Sequence, residues 1–221
     1  MNRIQGVLSI YFRDKWIWFL TPLIIISSAL IPNLIISSFI SYYISLAFIL
    51  VSSSLVYMFV TGIVSVPQTF SFTISMQVRR KDYFLGTSFM AAMISAGLTL
   101  FSLILIILER RGSDRWGLQF VDGVNIPELF GILFVLFMLF FYIGFIISSA
   151  FQRYKAKGLL TVLTILILPP CLFMLSLVYE DGHGLYMWLT SISLAEISLW
   201  SIPLTAVCGF LSYRLLRRAS V

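Results

Sequence analysis

Leu129 to Ala150 reads LFGILFVLFMLFFYIGFIISSA, without a charged side chain in it. At a rise of about 1.5 Å per residue, about 20 such residues cross a hydrocarbon layer about 30 Å thick. The run is too long for a strand, and a membrane barrel strand would alternate apolar with polar residues. It reads as a transmembrane helix. Five further runs meet the same criterion, at about 16–40, 44–67, 87–108, 159–179 and 194–213.

The composition agrees. Of 221 residues, 60% are hydrophobic and 11% charged, with a mean hydropathy of +1.01. A soluble domain carries about 25% charged residues, so this chain lacks the polar surface to coat a soluble globule. The expected architecture is an all-α integral membrane protein, a single transmembrane domain over 1–221 with six spans.

Charge distribution orients it. Arg3, Arg13 and Lys15 precede the first run; Arg79, Arg80 and Lys81 follow the second. Arg153, Lys155 and Lys157 follow the fourth, and Arg214, Arg217 and Arg218 close the chain. Only Arg110, Arg111 and Arg115 fall on the other side. Twelve basic residues against three place the former side, with both termini, in the cytoplasm. Most acids, among them Glu109, Asp114, Asp122, Glu128, Glu180 and Asp181, fall outside. The net charge of +6 thus marks topology in a multi-pass cell-membrane protein, and no nucleic-acid partner is expected.

The remaining segments are read from this frame. Ile4, Val7, Leu8, Tyr11 and Phe12 form one apolar helical face, so 1–15 is expected to lie as a helix in the interface. Trp16 and Trp18 follow at headgroup depth. The first run exceeds the about 7–15 apolar residues of a signal peptide and reads as a retained helix. The terminal Arg218-Ala219-Ser220-Val221 carries no lipidation motif. The external links are 109–128 and 180–193. In the second, Leu185, Tyr186, Trp188, Leu189 and Ile192 form a stretch too short to span, expected to dip into the outer leaflet.

Pro22 and Pro32, Pro169-Pro170 and Pro203 fall within spans and are expected to kink or interrupt them. Ser88, Ala92 and Ala96 recur every four residues, a small-residue face that permits close helix approach.

Catalytic chemistry is missing. No GK[ST] phosphate-binding loop or HExxH zinc motif occurs, and His183 is the single histidine. Cys171 and Cys208 lie within apolar runs as packing residues. No enzyme activity and no metal site or cofactor are expected of this chain. Glu196, at the outer end of the sixth span, is the one acidic residue close to a span that could act in a pathway; the simpler reading places it at the boundary.

The turn between the second and third spans, 76–86, reads Met76-Gln77-Val78-Arg79-Arg80-Lys81-Asp82-Tyr83-Phe84-Leu85-Gly86. It resembles the corresponding turn of ABC-2-type permeases, the membrane subunits of bacterial ABC exporters of the small Gram-positive type. Arg80 through Gly86 match; Gln77 and Arg79 stand where Gly and Ser are commoner. Phe12-Arg13-Asp14-Lys15-Trp16 is similar to the lead-in to their first span, and the plan of elbow helix and six spans covers the whole chain. The resemblance implies that the turn is a coupling helix docking into a separate ATPase, which binds ATP and Mg. Gln77, Val78, Arg79, Arg80, Lys81, Asp82, Tyr83 and Phe84 would make that contact, with Tyr83 and Phe84 as aromatic anchors. It further implies a second permease chain, identical or related, and export of an amphipathic or hydrophobic substrate such as a peptide, lipid or drug. The alternatives are an ATP-independent transporter or channel, and a non-transporting membrane scaffold or immunity protein.

Overall fold

The computed structural model describes residues 20–39, 46–75, 78–112, 125–178 and 194–217. The interfacial helix expected at 1–15, Trp16, Trp18, Gln77, most of the first external link and the whole of the second, with His183, fall outside them. Every regular element among the described residues is α-helical: α1 Thr21–Phe39, α2 Leu46–Ser75, α3 Arg80–Gly112, α4 Ile126–Val178 and α5 Leu194–Arg217.

Among the described residues, four segments are long and apolar enough to cross a membrane: Phe48–Phe70, Arg80–Leu108, Ile126–Lys155 and Leu199–Arg217. Lys157–Pro169 is a shorter apolar helix. The chain therefore has the character of a membrane protein, and four of the six expected spans meet the criterion.

Helix limits follow local chemistry. Asn125 accepts the backbone N–H of Leu129 at 3.0 Å and begins α4, with Pro127 in the first turn, where its missing N–H costs no bond. Lys155 breaks α4 with φ 53° and ψ −140°, a conformation that favours glycine. Beyond it the chain folds back: a Cβ on Gly158 would lie 2.6 Å from the Ala150 carbonyl oxygen. Eight residues of unbroken helix would separate the two by about 12 Å. The break thus separates two helical arms, as the runs 129–150 and 159–179 predict. The second arm continues through Pro169 and Pro170 to Val178, so this pair does not end the helix. Pro32, Pro67 and Pro203 are likewise accommodated inside α1, α2 and α5.

The core lies where α2 packs on α4 and α4 on α5, with α3 completing the bundle. Tyr83, Phe70, Phe137, Phe141 and Phe145 are its largest fully buried side chains. α2 and α4 cross in close contact at two glycines. A Cβ on Gly62 would collide with the Phe141 carbonyl oxygen, and one on Gly144 with that of Phe59. Backbone therefore rests on backbone, a contact only glycine permits. The Ser88, Ala92 and Ala96 face is half-buried and flanks the α3 packing stripe.

That stripe mixes small polar residues with apolar ones such as Met90, Ile94 and Leu98, while the outer side of α3 is apolar. Thr87, Ser95, Thr99 and Ser102 on α3 are buried, whereas Leu85, Phe89, Leu100 and Ile104 are more than half exposed. On α2, Thr61, Ser65, Thr69 and Thr73 recur every four residues and are all buried. Their hydroxyls return to carbonyls of the preceding turn, as from Thr61 to Tyr57 at 2.7 Å. With lipid as the outer solvent, apolar side chains gain nothing by turning inward, and small polar ones are sheltered between helices.

Candidate functional site

The basic turn between α2 and α3 is shorter than the sequence suggests. α2 runs to Ser75 and α3 starts at Arg80, so Arg80 to Gly86 forms the first turns of α3. The Arg79 carbonyl accepts the N–H of Tyr83 at 3.0 Å, closing the first turn of α3, and Val78 N–H donates to Thr73 O at 3.4 Å. Asp82 stands in that turn, where its charge complements the positive helix end.

Starting the helix at Arg80 sets which side chains face inward. Tyr83 is three positions in, in line with Thr87, Met90, Ala91 and Ile94 of the buried stripe. It is 0% exposed. Its hydroxyl lies 2.8 Å from Thr69 Oγ1 and donates to Ser65 O at 3.2 Å. Its ring meets Phe70 edge-on, centroids 5.4 Å apart. Phe84 is half-buried in an aromatic cluster with Tyr213 of α5 at 5.4 Å and Phe145 and Tyr142 of α4 at 6.1 and 6.3 Å. The two aromatics expected to anchor a partner are instead turned into their own chain.

The three cations divide. Arg80 donates from Nη1 to the Arg217 carbonyl at 2.6 Å. It thereby caps the last turn of α5, where unpaired carbonyls carry negative partial charge. Arg79 and Lys81 are exposed. With Leu85, 54% exposed, they form the outward surface of the turn. Val78 packs against the core.

The structure brings Arg80, Tyr83 and Phe84 together as fastenings to α5, α2 and α4. Sequence reading did not identify their partners Thr69, Ser65, Tyr142, Tyr213 and the Arg217 carbonyl. The four-residue recurrence Thr61, Ser65, Thr69, Thr73 was the legible signal for half of this seat. Glu196 is exposed in the first turn of α5, where a carboxylate suits the helix dipole.

An open groove of about 210 Å³ lies between α1 and α2, lined by Thr21, Ile25, Tyr57, Thr61 and Gln68 among others. No group of three or more metal-ligating side chains occurs among the described residues. No family model, no curated protein and no solved structure matches the chain.

Proposed function

We propose that this chain is the permease subunit of an ATP-driven exporter of the ABC-2 type, with six spans and both termini cytoplasmic. Two such chains, identical or related, would work with two copies of a separate ATPase. One observation carries the mechanism: the α2–α3 turn is fastened to three neighbouring helices while its outer surface keeps two unspent cations. Arg79, Lys81 and Leu85 are accessible to an ATPase. Tyr83 grips α2, Phe84 wedges against α4 and α5, and Arg80 holds the end of α5. A partner that moves the turn therefore moves the bundle with little slack. The resemblance of 80–86 to coupling turns supports the same reading, as does the absence of a phosphate-binding loop in this chain. The mixed lining of the α1–α2 groove suits an amphipathic cargo.

The test is co-purification. Tagged wild-type chain should retain an ATPase and support its stimulated hydrolysis. Arg79→Glu with Lys81→Glu should lose both while the chain stays folded, because neither side chain is packed. Recovery of wild-type chain without any ATPase would favour an ATP-independent transporter, a channel or a scaffold instead.

A further inference from the structure

At the C-terminal end of α5, a cavity of about 470 Å³ is lined by Phe210, Tyr213, Arg214 and Arg217. Val207, Phe210, Arg214 and Arg217 stand at helical spacing along one side of α5, and all four are exposed. The side is apolar along the span and cationic at its end. The Arg214 guanidinium lies over the Phe210 ring, 5.6 Å from its centroid, which holds the cation at the boundary between the two regions. Among the described residues, neither Arg214 nor Arg217 is paired with a carboxylate.

We infer that this end of α5 binds an anionic phospholipid, its phosphate between Arg214 and Arg217 and its first acyl carbons along Phe210 and Val207. Guanidinium groups bind phosphate through paired, charge-assisted hydrogen bonds. The carbonyl end of a helix ordinarily repels an anion. Here Arg80 caps the Arg217 carbonyl, offsetting that repulsion. A free phosphate would leave the apolar half of the surface unused, whereas a lipid occupies both halves. Phe210 and Val207 are 61% and 54% exposed on a helix long and apolar enough to lie in a membrane. The bound headgroup would sit beside the Arg80 clasp and the Phe84–Tyr213 contact, and so would tighten the join between α3 and α5. The site requires only that α5 crosses the membrane, and stands whether or not the chain works with an ATPase.

Native mass spectrometry of the full chain, purified in neutral detergent and given equimolar phosphatidylglycerol and phosphatidylcholine, tests this. Phosphatidylglycerol should be retained about tenfold over phosphatidylcholine, a difference of about 1.4 kcal/mol. Arg214→Gln with Arg217→Gln should abolish the preference, and Arg153→Gln, which removes a cation near Tyr154, should leave it intact. Inorganic phosphate at the same concentration should not displace the lipid. If the double variant does not fold, Arg214→Gln alone should weaken the preference and Arg214→Lys should retain part of it. Equal retention of both lipids, loss in Arg153→Gln as large as in the α5 variants, or displacement by inorganic phosphate would each overturn the assignment.

Discussion

The Tyr83 hydroxyl lies 2.8 Å from Thr69 Oγ1, so the first turn of α3 is bolted to α2 inside the bundle. Thr69 Oγ1 also donates to Ser65 O at 2.6 Å, and the three oxygens share two protons in a closed triangle. Tyr83→Phe keeps the packing and removes one hydroxyl. It should cost about 1 kcal/mol. Tyr83→Ala also empties a fully buried ring site and should cost about 3–5 kcal/mol. Thermal unfolding in detergent measures both. Equal stability of wild type and Tyr83→Ala would show that the ring is not buried.

Arg80 should behave unlike its neighbours. Arg80→Ala frees the Arg217 carbonyl and loosens the end of α5. Amide hydrogen exchange over the last turn of α5 should rise. Arg79→Ala and Lys81→Ala remove exposed side chains and should leave stability within about 0.5 kcal/mol. Faster exchange in all three variants alike would refute the distinction.

The glycines divide by what surrounds them. Gly62→Ala and Gly144→Ala each thrust a methyl into the opposing backbone, which cannot rotate away. Each should force α2 and α4 apart and destabilise by about 2 kcal/mol or more. At Gly97 and Gly131 an added methyl would meet nothing within 4 Å. Alanine at either should be neutral or stabilise by up to about 1 kcal/mol through helix propensity. Melting temperatures of the four variants give the comparison, and a uniform response would contradict the crossing.

Orientation is open to labelling. In a chain lacking Cys171 and Cys208, Glu128→Cys should react with a membrane-impermeant maleimide from outside intact cells. Lys81→Cys and Lys157→Cys should react only after permeabilisation, since the basic clusters mark the cytoplasmic side. All three positions are exposed. Labelling of Lys81→Cys and Lys157→Cys from opposite sides would contradict the charge reading.

The sequence by itself determined the membrane character and the all-helical make-up of the chain. Apolar length and scarce charge are properties of a linear string. They suffice to mark membrane helices, because every backbone polar group in lipid must be satisfied within its own segment. The string also marked the basic turn and the break near Lys155. It left open which side of each helix is buried. Apolar residues surround these helices, so no hydrophobic stripe separates core from lipid, and Met90 and Phe89 read alike although one is buried and the other exposed. Tertiary structure decided that Tyr83 faces Thr69, that Arg80 caps α5, and that α2 and α4 meet backbone to backbone at Gly62 and Gly144. Those outcomes depend on the rotation and depth of one helix against another. Backbone contact and buried hydroxyls set these through short-range packing that residue spacing along a single helix does not encode.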